Sequence, residues 1–185
     1  PKSRVLLKPN LLSKSAPDTA VVTHPDVLRA VILTVQARGV TDILVADSPG
    51  GPYSEKAMRG VYEAAGVAQV CRDTGAQLYL AFERVTVHAA PLPGGLVQSF
   101  NVLAPVKERD FIINLPKMKT HVMAGMSGAV KNLFGLVPGL QKAEFHTRFP
   151  EREHFGKMIT QLCATVRADI HLVDGVLAME GDGPG

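Results

Sequence analysis

The chain has 185 residues, 46% of them apolar, with a formal net charge of +3 and a pI near 9.0. That length fits one α/β domain over 1–185, read as part of a longer protein, and the apolar share supports a core of Val, Leu, Ile, Ala and Met in the absence of Trp. The mild basic excess argues against DNA, which asks for a long basic stripe, and against single strands, which ask for bases interleaved with aromatics; no apolar run is long enough to span a membrane.

In chain order, 4–7 (RVLL) reads as a short buried strand ending at Lys8-Pro9-Asn10, and 11–24 as a loop. Thr23-His24-Pro25-Asp26 opens a helix, with Thr23 or His24 near the cap and Pro25 in the first turn. Val27, Leu28, Val31, Ile32 and Val35 recur at helical spacing, and Gly39 closes the helix. Ile43-Leu44-Val45-Ala46 is the next strand, ending in the turn formers Asp47-Ser48-Pro49-Gly50-Gly51-Pro52. Helices follow over 54–65 and 67–74. This rhythm predicts a layered α/β fold with a mostly parallel sheet flanked by helices. In the middle, 77–82, 85–90 and 96–103 alternate like strands around a Pro- and Gly-rich turn, predicting an antiparallel element. A buried strand over 110–113 then delivers a loop over 114–146. Within it, 127–134 predicts a short helix capped by Ser127 and stopped by Gly135. A helix over 156–167 and a strand over 169–173, ending at Asp174-Gly175, complete the pattern.

The 114–146 loop carries Lys117, Lys119, His121, Lys131, Lys142 and His146 against one acid, Glu144. A loop that basic, starting where a buried strand ends, is where an open α/β sheet holds its ligand, here an anionic small molecule. If four strands run parallel, Asn10, Asp47, His121, Lys131 and Asp174 should line one cleft. Lys117 and Lys119 lie two apart and share a face in extended chain, as anion contacts. Gly50-Gly51 and Ser127-Gly128 could cradle a phosphate or cofactor on backbone N–H groups. Lys131 would sit in a first helical turn, where acids are preferred, so an anion or covalent partner opposite would explain it. His121 and His146 flank it and suit acid–base work or metal ligation, with Asp47 and Asp174 as further cation-side groups. Glu180 and Asp182 among glycines could hold a cation or make a turn. Asp, Gly and Pro also make turns with no site attached. The two cysteines, Cys71 and Cys163, lie far apart and outside any CxxC, so this chain alone ligates no iron–sulfur cluster, and a reducing cytoplasm is expected.

Several segments carry a resemblance: Phe111-Ile112-Ile113-Asn114-Leu115-Pro116-Lys117-Met118-Lys119-Thr120-His121, Val130-Lys131-Asn132-Leu133-Phe134-Gly135, and Asp174-Gly175 with Met179-Glu180-Gly181-Asp182-Gly183-Pro184. With Lys8-Pro9-Asn10 and Asp47-Ser48-Pro49-Gly50 they resemble the uncharacterised domain family numbered 362. The resemblance implies ferredoxin-type iron–sulfur modules as frequent neighbours, and so a ferredoxin-type domain or protein as a partner. A remoter resemblance is to the nickel-pincer lactate racemases, in the order His121, Ser127-Gly128-Ala129-Val130-Lys131, His146. It implies His121 as an acid/base, Lys131 as a covalent cofactor carrier and His146 as a ligand to nickel or another divalent metal. Ala129 stands where that family has Gly, and its upstream acid/base His has no counterpart here. The joint expectation is an iron–sulfur-associated enzyme with catalytic His121 and Lys131, and with a metal or organic cofactor at the strand ends. The alternative is a non-catalytic anion-binding or redox-partner docking module.

Overall fold

The structure is a computed structural model and describes residues 3–50 and 54–183. In chain order the elements are β1 (Arg4–Pro9), α1 (Pro25–Gln36), β2 (Asp42–Val45), α2 (Glu55–Ala64), α3 (Val67–Thr74), β3 (Gln77–Leu78), β4 (Arg84–His88), β5 (Ser99–Leu103) and α4 (Pro105–Glu108). There follow β6 (Phe111–Leu115), β7 (Lys117–His121), β8 (Gly125–Met126), α5 (Ala129–Asn132), α6 (Leu140–Arg148), α7 (Arg152–Val166), β9 (Ile170–His171) and β10 (Asp174–Met179). Five strands form a parallel sheet in the order β3-β2-β1-β6-β9. The chain winds one way through β1, β2 and β3 and the other way through β6 and β9. The order therefore reverses between β1 and β6, the place where open α/β sheets bind ligands beyond their strand ends.

The period of two along each strand divides the apolar residues between two cores. Val5, Leu7, Ile43, Val45, Ile113 and Leu115 face α1, α2 and α3, with Leu28, Ile32, Tyr62 and Val67 fully buried against them. Leu6, Ala46 and Ile112 face the other way, against Phe100, Val102, Leu133, Phe155 and Met158. That second core is roofed by α7 and by the antiparallel pair β4–β5. Gln161 of α7 locks the pair in place. Its Oε1 accepts from the Leu96 and Val97 N–H groups, and its Nε2 donates to the Ala90 and Val97 carbonyls.

The local expectations hold where cap and periodicity agree. His24 caps α1, its Nδ1 accepting from the Asp26 N–H, and Ser54 caps α2 by accepting from the Ala57 N–H. Elsewhere the structure differs. The 77–82 stretch does not join the antiparallel element; β3 adds to β2 in parallel, because α3 returns the chain by the same crossover as α1. Alternation alone does not distinguish the two pairings. Ser127 does not cap α5: its backbone N–H donates to the Lys119 carbonyl at 2.8 Å, continuing the β7–β8 pairing, and the cap position falls to Gly128. The strand expected over 169–173 is short and is followed by β10, which pairs in parallel with β7.

One buried hydroxyl ties the two strands at the reversal point. Thr23 Oγ1 accepts from the Asn10 N–H at 2.7 Å and donates to the Leu115 carbonyl at 2.7 Å. The Thr23 N–H donates in turn to the Asn10 carbonyl at 2.9 Å.

Candidate functional site

A cavity of about 370 Å³ opens at the carboxyl ends of β1 and β2, walled by β7 and by α5 and α6. Its floor is an ion pair. Lys8 Nζ stands 2.8 Å from Asp47 Oδ1, and both side chains are almost wholly buried. Asp47 is saturated by local donors, with Oδ2 accepting from the Leu11 N–H and Oδ1 from the Ser48 N–H. Burial pulls the Lys8 amine below its ordinary range, against the lift from Asp47. Gly135 is required beside this pair: a Cβ there would overlap Asp47 Oδ1 and stand 2.6 Å from Lys8 Nζ.

Asn132 fixes α5 over the floor. Its Nδ2 donates to Asn114 Oδ1 at 2.8 Å and to the Lys8 carbonyl at 3.2 Å, and its Oδ1 accepts from Asn10 Nδ2 at 2.9 Å. One side chain thereby joins α5 to β6 and to the end of β1, and holds Lys131, its neighbour in sequence, on the cavity wall.

Three more amines line the same space. Lys119 Nζ donates to the Val21 carbonyl at 2.7 Å, and Lys142 Nζ to Ser48 Oγ at 2.9 Å. Lys131 Nζ lies 5.5 Å from the centre of the Phe134 ring and has no hydrogen bond or ion pair among the described residues. Burial, and then repulsion from neighbouring lysines, holds Lys119 and Lys131 at about 8, and burial holds Lys142 at about 7 against the lift from Asp47. Asp47 is the one carboxylate on the cavity wall among the described residues, and Lys8 already neutralises it.

The two imidazoles present opposite faces. His121 Nδ1 accepts from the Met123 and Ala124 N–H groups, both at 3.1 Å, so its proton sits on Nε2 and it offers a donor. Burial, then the charges of Lys131, His146 and Lys119, push it down to about 4, so it stays neutral. His146 Nδ1 lies 3.2 Å from Met123 Sδ. A thioether has no hydrogen to give, so the imidazole donates and Nε2 keeps its lone pair. The ring stacks on Phe155 at 4.7 Å and meets Phe134 edge-on at 5.6 Å.

The structure brings together Asn10, Asp47, Gly50, Lys119, His121, Ser127, Lys131 and His146 around this one cavity. It does not bring Lys117, Asp174 or Gly128 there. Lys117, expected to meet anions beside Lys119, is fully buried in an ion pair with Asp174 at 2.8 Å. Asp174, expected as a metal or cation group, also accepts from the His24 and Val176 N–H groups. Burial pushes its carboxyl up, but these partners outweigh it and leave the group below the usual carboxylate range. Gly51 lies outside the described residues. The set His146, Asp47 and Asp174 therefore does not assemble, and among the described residues no three His, Cys, Asp or Glu side chains could hold a metal ion. Among the described residues, side chains alone do not assemble a nickel or other divalent-metal centre. Cys71 is buried in the core under α1–α3, its thiol pushed up to about 12, while Cys163 packs against the opposite core.

Sequence reasoning assigned no role to Lys8, Asn114 or Asn132, which build the floor. The available signal was a Lys inside an apolar run facing an Asp at the end of the adjacent strand, since a buried amine needs a partner.

Fold and site define a doubly wound α/β protein with a lysine-lined cavity where the strand order reverses. The chain belongs to the family described as Domain of unknown function (DUF362), which it matches over residues 5–185. It is similar to the Thylakoid-associated protein sll1697 of Synechocystis sp. (strain ATCC 27184 / PCC 6803 / Kazusa), with 35% identity over 192 residues, covering 100% of this chain and 55% of that protein. The chain thus spans about half the length of the curated relative it matches. No helix among the described residues is long and apolar enough to cross a membrane.

Proposed function

We propose that the cavity binds a small organic anion, through carboxylate or phosphate oxygens, and that the protein acts chemically on it. One observation carries the reading. Lys119, Lys131 and Lys142 face a single cavity whose only wall carboxylate, among the described residues, is already paired with Lys8. Three clustered amines without a counter-charge repel one another in a half-buried space, and an anion between them removes that cost. The His121 Nε2–H adds a neutral donor on the same wall. The volume suits a compact metabolite. Leu11, Phe134, Leu140 and Ala143 leave part of the wall apolar, for the carbon skeleton.

Calorimetric titration with phosphate and with acetate at low ionic strength is the test. Binding should occur, weaken as salt rises, and fall at least about tenfold in Lys119→Met or Lys142→Met, as the loss of a charge-assisted hydrogen bond implies. Absence of heat and of any protection against unfolding, with both anions in large excess, would sink the reading.

A further inference from the structure

The amines on the cavity wall differ in what holds them. Lys8 is held by Asp47, Lys119 by the Val21 carbonyl and Lys142 by Ser48 Oγ. Among the described residues, Lys131 alone of these four lacks a polar partner and rests against the face of Phe134. It is nevertheless fixed in place, because Asn132 clamps its short helix to two strands. A charged amine built only to attract an anion gains from a partner that fixes its proton; a nucleophile needs its lone pair left open.

We infer that Lys131 condenses with the carbonyl carbon of an aldehyde- or keto-bearing organic anion held by Lys119 and Lys142. This rests on the anion reading above and names the ligand class. The neutral amine attacks the carbonyl carbon, the C=O π pair passes to oxygen, and the nitrogen proton is transferred to that oxygen, giving a carbinolamine. The nitrogen lone pair then expels the hydroxyl, which takes the remaining nitrogen proton and leaves as water, giving a neutral C=N bond to Lys131. No oxidant or further reactant is involved, and hydrolysis reverses the step. The neighbouring groups suit the two proton movements. His146 has the Nε2 lone pair to take each proton from nitrogen and pass it to oxygen, and the His121 Nε2–H hydrogen-bonds the oxygen as charge develops on it. Both line the same cavity, and His146 packs on the ring that carries Lys131. Burial and the adjacent Lys8 charge hold the Lys131 amine at about 8, which leaves a useful neutral fraction near neutral pH.

The probe is glyoxylate, the smallest molecule joining an aldehyde to a carboxylate, trapped with borohydride and mapped by peptide mass spectrometry. Acetate titration is run on the same samples. The expected result is a reduced adduct on Lys131 at least about tenfold above any other lysine, since Lys119 and Lys142 are held by polar partners and Lys131, among the described residues, is not. It should be suppressed by excess acetate and absent in Lys131→Arg, whose folding is checked by thermal denaturation on the same samples. Acetate binding with no trapped adduct, or with adducts spread evenly over surface lysines, overturns the covalent step while the anion site stands. Failure of acetate to bind wild-type protein at all overturns both.

Discussion

Asn132 Nδ2 donates to Asn114 Oδ1 at 2.8 Å, across 18 residues of chain, and this bond seats a four-residue helix on the central sheet. A helix that short has no stability of its own. Its position, and with it that of Lys131, depends on Asn132.

Replacing Asn132 with Ala should therefore affect both the fold and the site. The Lys8 carbonyl, Asn114 Oδ1 and Asn10 Nδ2 would each lose a partner. The expected cost is about 1–3 kcal/mol in denaturant unfolding, with weaker anion binding in the fraction that remains folded. Asn132→Asp keeps the acceptor and loses the donor, and should fall between wild type and Ala in stability. If Asn132→Ala unfolds and binds like wild type, the clamp is not what holds α5.

The lysine cluster should make stability and affinity respond oppositely to pH. Lys142 sits at about 7 and Lys119 and Lys131 at about 8, all lowered from 10.5. Between those values and 10.5 the unfolded chain binds more protons than the folded one. Stability without ligand should rise with pH through that window, and below about 7 the same groups give no slope. Anion affinity needs the protons and should fall over the same range. Lys142→Met removes one term, so it should raise stability near pH 7 by about 1 kcal/mol, flatten the profile and weaken phosphate binding. Denaturation series with and without phosphate measure both. Parallel pH profiles for wild type and Lys142→Met would show that Lys142 titrates normally.

Lys117 and Asp174 should matter for folding and not for ligand. The pair is wholly buried and off the cavity. Lys117→Met strands a carboxylate, and the expected loss is about 3–5 kcal/mol. The double change Lys117→Met with Asp174→Leu should recover part of it, less the acceptor that the His24 and Val176 N–H groups lose. Phosphate titration of the folded double variant should match wild type. A loss of binding there would place Lys117 at the site after all.

A mostly parallel sheet, an antiparallel element in mid-chain and the edge on which the 114–146 segment emerges were legible, because strand periodicity and turn residues are local signals, whereas the strand order and the placing of 77–82 were not. The sharing of one cavity by Asp47, His121 and Lys131 followed from that topology. What stayed hidden depends on distant partners. Lys117 and Lys119 have the same spacing pattern in sequence, yet one meets Asp174 and the other the Val21 carbonyl, 57 and 98 residues away. The helix α6 was missed because Gly139 and Pro138 look like loop, and its burial rests mainly on Phe145. The direction of each imidazole was likewise invisible, being set by the backbone at 123–124 and by Met123.

The Thr23 hydroxyl, shared between the Asn10 N–H and the Leu115 carbonyl, has a consequence for how a guest would be received. It adds a side-chain link between the ends of two strands already paired through Pro9 and Leu115, and does so on folding, before any guest arrives. The ordering entropy of the floor is thus incurred once, in the fold, rather than again at each association event. Adaptation to different guests then falls to the opposite wall, where Leu140 at the start of α6 is 84% exposed. Selectivity should accordingly be tuned by exchanging side chains on α6, while exchanges under Thr23 alter how firmly any guest is held without changing which one is preferred.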